Sequence, residues 1–323
     1  MAIVRTPLTS SIGLPATALA SLLSDTRVLV AGDVMLDRYW FGDVRRISPE
    51  APVPIVQVQR SDDRLGGAAN VARNIAALGA HASLMGRVGT DEAGQRVHAL
   101  LADASIIDML SDSAALPTIV KLRVLGRQQQ LLRIDFDPVP IAVAPPFTLP
   151  GCDVLRRHQA LLVSDYAKGT LAEVPSLMAA ARESGLPVLV DPKGDDYAMY
   201  AGATLIKPNM AELQRVVGIW RDEADLQCRA QALRRALRID ALLLTRSEEG
   251  MSLFDADGVR HFAAQAREVF DVSGAGDTVI AVIATLLAAG IPLESAVLVA
   301  NHAAGLAVSK LGTAVVSFDE LFG

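Results

Sequence analysis

From Arg27 onward the chain alternates short, wholly apolar runs with segments of helical periodicity, and that alternation restricts the fold more than any other feature. RVLVAGD, ASLMGRVG, ALLVSD, PVLVDP, TLIKPN and ALLLTR all lead into polar residues, and most are followed by a helical pattern such as GAANVARNIAALGA, with Gly79 near its C-terminal end. Strands that are apolar on both sides need cover on both, so the pattern predicts an α/β fold: a mostly parallel central sheet with helices on either face.

Two stretches break the rhythm. PVPIVQVQR near residues 52–60 and TIVKLRVLGRQQQLLRIDF at 118–136 alternate apolar with polar residues and have no helix between strands, as a half-solvated sheet would. They read as a small β-sheet lid, inserted near 38–62 and 116–137 into a single domain over 26–323. GMSLFDADGVRHFA reads as a third such piece, a hairpin turning at Asp257–Gly258. Residues 1–25 read as a loose leader with a short helix.

Composition removes several classes. At 323 residues and 51% hydrophobic content the chain folds as a globule, and a net charge of −6 argues against general nucleic-acid binding. Cys152 and Cys228 stand far apart without metal-type spacing, and the five histidines are scattered, so neither a disulfide framework nor a Cys- or His-based metal site is expected. The most membrane-like stretch, 279–300, is split by Gly290, Pro292 and Glu294 into two core helices. With no export signal read at the N-terminus, a cytoplasmic protein without a membrane partner is expected.

Open parallel sheets bind ligands beyond the C-terminal ends of their strands. Those ends carry Gly32-Asp33, Ser164-Asp165, Asp191-Pro192-Lys193, Lys207-Pro208-Asn209 and Thr245-Arg246-Ser247. The sharpest signal is Asp271-Val-Ser-Gly274-Ala275-Gly276-Asp277, which runs directly into the apolar helix TVIAVIATLLAAG. Free amides at a helix start attract anions, and glycines let phosphates approach the backbone. Taken alone, the segment reads equally well as an ordinary capped helix start. Asn209-x-x-Glu212 taken alone reads as a capping box. No Gly-Lys dipeptide occurs, so the P-loop is absent, and Val279 interrupts any dinucleotide-binding glycine fingerprint.

Gly66-Gly67-Ala68-Ala69-Asn70, Asn209-x-x-Glu212 and Asp271-x-x-Gly274-Ala-Gly276-Asp277 together resemble the ribokinase-like (PfkB-type) carbohydrate kinases in order and spacing, over roughly residues 27–318. Arg46-Ile-Ser-Pro-Glu-Ala-Pro-Val-Pro54, Arg127-Gln-Gln-Gln-Leu-Leu-Arg133, Ser164-Asp-Tyr-Ala-Lys168-Gly and Asp191-Pro-Lys193-Gly are similar to strings of the branch that phosphorylates D-glycero-β-D-manno-heptose 7-phosphate for the lipopolysaccharide inner core. The resemblance implies a ribokinase-like fold and ATP-dependent phosphorylation of the sugar's anomeric hydroxyl. Alternatives are a kinase of the same family acting on fructose, ribose, tagatose phosphate or a nucleoside, and a non-catalytic sugar-binding regulator.

By the same resemblance Asp277 is the catalytic base, and the amides of Gly274, Ala275 and Gly276 form the anion hole. Asn209, Met210, Ala211, Glu212, Thr245, Ser247, Gly250 and Asn301 fall to ATP, with Glu212 holding Mg²⁺ through water. Asp33, Asp37, Gly66, Gly67, Asn70, Arg127, Lys168 and Lys193 fall to the sugar phosphate, with Arg133 nearby on the lid and Lys207 at the same crevice. Asp271 resembles a residue beside a monovalent cation, implying stimulation by K⁺. Unpaired lid strands are a liability that pairing removes, and lids of this family often pair between subunits, implying a C2 homodimer. Many relatives carry a fused adenylyltransferase; here that partner is expected as a separate protein.

Overall fold

Strand β1 (Arg27–Gly32) shows why the sheet needs helices on both sides. Val28 and Val30 face one hydrophobic core, Leu29 and Ala31 face the other, and all are fully buried. The computed structural model describes residues 8–126, 129–137, 149–265 and 269–323. Further strands are β2 (Val34–Ile47), β3 (Pro54–Gly67), β4 (His81–Gly89), β5 (Ile107–Ser113), β6 (Ile119–Gly126), β7 (Gln129–Phe136), β8 (Ala160–Ser164), β9 (Val188–Asp191), β10 (Leu205–Ile206), β11 (Ala241–Thr245), β12 (Met251–Asp255) and β13 (Gly258–Phe262). The helices are α1 (Leu8–Ile12), α2 (Ala16–Ser24), α3 (Ala68–Ala77), α4 (Glu92–Asp103), α5 (Cys152–Leu155), α6 (Val174–Glu183), α7 (Met210–Val217), α8 (Glu223–Leu237), α9 (Ala275–Ala288), α10 (Leu293–Ala307) and α11 (Phe318–Phe322).

Among the described residues the central sheet has nine strands in the order β13-β12-β11-β10-β9-β8-β1-β4-β5, parallel from β11 to β5. Helices α2, α3, α4, α9 and α10 pack on one face, and α6, α7 and α8 on the other. A separate four-stranded sheet, β3-β2-β6-β7, forms the lid that the alternating stretches predicted. Its central pair, β2 and β6, is parallel, and the outer pairs are antiparallel.

The structure departs from the sequence pattern at three points. The β12–β13 hairpin extends the edge of the central sheet instead of joining the lid, because Leu253 and Phe254 are buried against the two cores. Its turn is Ala256–Asp257, with Gly258 already paired to Asp255. Strand β5 went unread because, as an edge strand beside β4, it is largely exposed and its sequence IDMLSDS has no continuous apolar run. Residues 8–12 and 16–24 form two helices where one short helix was expected, and Leu19 and Leu23 of α2 are fully buried in the core shared with α3, α9 and α10.

Leu23→Ala is therefore expected to lower the unfolding free energy by about 2–5 kcal/mol in urea denaturation. A loss below about 0.5 kcal/mol would mean that α2 does not belong to the core.

Candidate active site

The strand ends converge on one cavity of about 630 Å³, lined by Tyr166, Asp191, Lys193, Lys207, Asn209, Glu212, Thr245, Ser247, Gly250, Asn301 and the turn Gly274–Asp277. Helix α9 begins at this cavity, and the amides of its first turn have no carbonyl of their own helix to meet. Gly274 precedes it with φ 77°, a left-handed conformation, and a methyl there would stand 3.0 Å from Asn70 Nδ2. Gly276 lies inside the first turn and needs glycine less for its backbone, since a methyl there would meet only Lys207 Nζ at 3.4 Å.

Asp277 sits in that first turn, 6% exposed. The Tyr166 hydroxyl donates to its Oδ1 at 2.6 Å, and Asn70 Nδ2 donates to Oδ2 at 2.7 Å. Burial raises its pKa above the ordinary carboxylate value, while Tyr166, Asn70 and the charge of Lys207 work the other way. The net effect is a stronger base than a free carboxylate, and one fixed in orientation. Asn70 is itself held: Asn74 Nδ2 donates to its carbonyl at 2.9 Å, and Thr278 Oγ1 donates to Asn74 Oδ1 at 3.0 Å. This buried polar seam joins the starts of α3 and α9, which the chain places 207 residues apart.

Tyr166 was not among the expected site residues. The one available signal was its place in Ser164-Asp-Tyr-Ala-Lys168-Gly, just past a strand end. Asp33 explains how it is aimed. Fully buried, Asp33 accepts the amides of Tyr166 and Lys168 on Oδ2 at 2.9 and 3.0 Å and that of Thr170 on Oδ1 at 3.2 Å. Its carboxylate thereby holds this loop.

Asp37 is also buried, with Arg123 Nη1 2.5 Å from its Oδ1. Burial pushes its pKa up, and Arg123 opposes this. Arg123 was likewise unforeseen; it comes from β6 of the lid. Gly66 makes room for Asp37, since a methyl there would lie 2.8 Å from Asp37 Oδ2, and Gly67 begins α3 with φ 57°. Arg127 lies outside the described residues. Arg133 pairs with Asp135 on the lid at 2.9 Å.

At the other arm of the cavity Asn209 and Glu212 form a complete capping box, both bonds 2.9 Å, so the plain reading of that motif holds whatever else it does. Met210 packs partly against the core, and Ala211 lines a shallow pocket beside Lys193, Asn209 and Glu212. Lys193, expected on the sugar side, is tied to Glu212 Oε1 at 2.8 Å in this arm. Lys207 is buried, 2.9 Å from Asp191 Oδ1. Burial lifts the Asp191 carboxyl to about 7, against the pull of Lys207. Asn301 Nδ2 donates to the Ala263 carbonyl at 2.7 Å.

Asp271 accepts the amides of Ser273 and Gly312 at 2.9 and 2.8 Å. Burial disfavours its charge, but these bonds and Arg123 outweigh it and hold the carboxyl below the usual range. Among the described residues no group of three or more His, Cys, Asp or Glu converges as a metal site. Mg²⁺ bound mostly by water and nucleotide phosphates needs no such cluster, and Glu212, lining the cavity, suits that mode.

A two-faced parallel sheet beside a small β-lid, with a glycine-flanked helix start at its strand ends, defines a ribokinase-like carbohydrate kinase. Comparison with known proteins agrees: the family described as "pfkB family carbohydrate kinase" matches residues 25–319, and the chain belongs to that family. Among its relatives, the D-beta-D-heptose 7-phosphate kinase of Bordetella bronchiseptica is 54% identical over 94% of this chain and 97% of its own length. The bifunctional protein HldE of Alcanivorax borkumensis is 55% identical over 92% of this chain, which spans 63% of that longer protein. Solved structures of the same fold include Arabidopsis thaliana ribokinase complexed with ribose and ATP (TM-score 0.75, 21% identity, 92% of this chain and 97% of that one). Escherichia coli phosphofructokinase-2 in complex with potassium is another (TM-score 0.74, 21% identity, 92% and 96%).

Proposed function

We propose that this kinase transfers the γ-phosphoryl of ATP to the anomeric hydroxyl of D-glycero-β-D-manno-heptose 7-phosphate, giving the 1,7-bisphosphate, on the route to ADP-heptose and the lipopolysaccharide inner core. The observation that carries the substrate is the 54% identity with a heptose 7-phosphate kinase along 97% of that protein's length. No described helix is long and apolar enough to cross a membrane, and the proposed setting is the cytoplasm.

Asp277 takes the proton from the sugar hydroxyl as its oxygen bonds to phosphorus. Its raised basicity and its fixed orientation both serve that step. Tyr166 and Asn70 occupy its oxygens until the hydroxyl arrives. The amides of Gly274, Ala275 and Gly276 then stabilise the charge gathering on the transferred group, which is worth most in a site shut off from water. Asn209, Glu212, Thr245, Ser247, Gly250 and Asn301 line the arm that takes ATP, and Lys193 and Lys207 add positive charge along its phosphates. Glu212 would hold Mg²⁺ through water, and the ion would supply positive charge to the nucleotide phosphates. Asp271 supplies negative charge for a monovalent cation, K⁺.

The lid leaves apolar side chains exposed, Val58 on β3 and Leu132, Ile134 and Phe136 on β7. Pairing of two lids about a two-fold axis would cover them, and a homodimer is proposed.

In an ADP-release assay, heptose 7-phosphate is expected to be turned over with kcat/KM at least about tenfold above that for the unphosphorylated heptose or fructose 6-phosphate. Activity should vanish on removing Mg²⁺ and be higher in K⁺ than in choline buffer. Comparable efficiency on free and phosphorylated sugar would contradict the substrate assignment. Light scattering at micromolar concentration should give the mass of a dimer; a monomer would exclude the lid pairing.

A further inference from the structure

One side of the lid is built from charges. Strand register sets Arg64, Asp37, Lys121 and Asp135 in one row across β3, β2, β6 and β7, and Asp62, Tyr39, Arg123 and Arg133 in the next. Residues two apart on a strand share a face, so both rows lie on the side where Asp37 and Tyr39 are buried over the crevice. Most of these groups neutralise one another locally: Arg123 bonds Asp37, Arg64 bonds Asp62, and Arg133 bonds Asp135.

Lys121 is different. Its Nζ lies 2.6 Å from Oδ1 of Asp137, the residue just after β7, and 3.3 Å from Asp135. The other oxygen of Asp137, Oδ2, accepts from Lys168 Nζ at 2.8 Å. Lys168 belongs to the loop that Asp33 pins and that carries Tyr166 to Asp277. Two ammonium groups, one from the lid and one from the core, thus converge on the two oxygens of a single carboxylate. Neighbouring oxygens of a phosphate would satisfy the same pair of donors, with more charge.

We infer that Lys121 and Lys168 form the seat for the phosphate the sugar already carries, and that Asp137 fills this seat until the substrate displaces it. The inference rests on the reading of the substrate as a sugar phosphate. It assigns a specificity role to Lys121 and a competing role to Asp137. Burial alone would favour the neutral acid, yet hydrogen bonds and charge from both lysines hold the Asp137 carboxyl below its ordinary range, so it is ionised near neutral pH. Its side chain is 34% exposed and that of Lys168 26%, and partly solvated ion pairs of this kind are weak. A phosphate, bearing between one and about two negative charges near neutral pH, outcompetes one carboxylate for the two lysines.

The test compares wild type, Lys121→Met, Lys121→Arg and Asp137→Asn. Steady-state kinetics use heptose 7-phosphate at saturating Mg²⁺ and ATP. Calorimetry uses inorganic phosphate with the nucleotide site filled by a non-hydrolysable ATP analogue. Asp137→Asn is expected to lower both the KM for heptose 7-phosphate and the Kd for inorganic phosphate by about three- to tenfold, with the KM for ATP moving less than about twofold. Lys121→Met should raise the first two by about tenfold or more, and Lys121→Arg should recover most of that loss. A tighter-binding Asp137→Asn cannot arise from misfolding. Unchanged or weakened phosphate binding in Asp137→Asn would overturn the seat and leave the ion pair as a lid clamp. A wild type that ignores heptose 7-phosphate would defeat the proposed function, and the inorganic phosphate titration would then decide the seat by itself.

Discussion

Keeping a carboxylate buried at a helix start, charged and pointed one way, is the constraint on which the rest of this site depends. Burial disfavours the ionised form of Asp277, and it is partly offset by donors that reach it from two directions, Tyr166 and Asn70, with the charge of Lys207 behind them. Each donor needs its own support. Asn70 is tied through Asn74 to Thr278, next to Asp277 itself, and Tyr166 stands on a loop whose amides end on Asp33. Asp33 lies at the point where β1 leaves the central sheet and β2 enters the lid. The same residue that pins the Tyr166 loop therefore sits where the chain passes from the central sheet into the lid.

The lid is made possible by strands whose sides differ. One side presents charges to the crevice, and the other carries apolar residues that pack on the core near β2 and emerge on β7. Simple period-two alternation produces both surfaces at once. A one-residue slip would expose the charges and bury the apolar side chains in the crevice. Register in the lid is accordingly as much a part of the proposed sugar recognition as any single contact.

How much of this could be read from the sequence follows the same physics. The central sheet was legible because its strands are apolar on both sides, and the lid because its strands alternate; β5 was not, because an exposed edge strand needs neither pattern. Asp277, Gly274 and Asn70 were legible as motif residues whose spacing is local to a helix start. Tyr166 and Arg123 were not, since each matters only through a partner more than eighty residues away, Asp277 for one and Asp37 for the other. Asp33 and Lys193 were located at strand ends, but their protein partners were not legible there. A strand end says that a polar side chain reaches the crevice, and it does not say whether a backbone amide or Glu212 will be waiting there.

Replacing Asp277 with Asn tests the central claim most directly, because it keeps the side chain's size and its place between Tyr166 and Asn70 while removing its ability to take a proton. With folding checked by thermal melt, kcat should fall by about 10²–10⁴-fold while the Kd values for ATP and for heptose 7-phosphate stay within about threefold. A folded Asp277→Asn enzyme with near-normal kcat would contradict the assignment of the catalytic base.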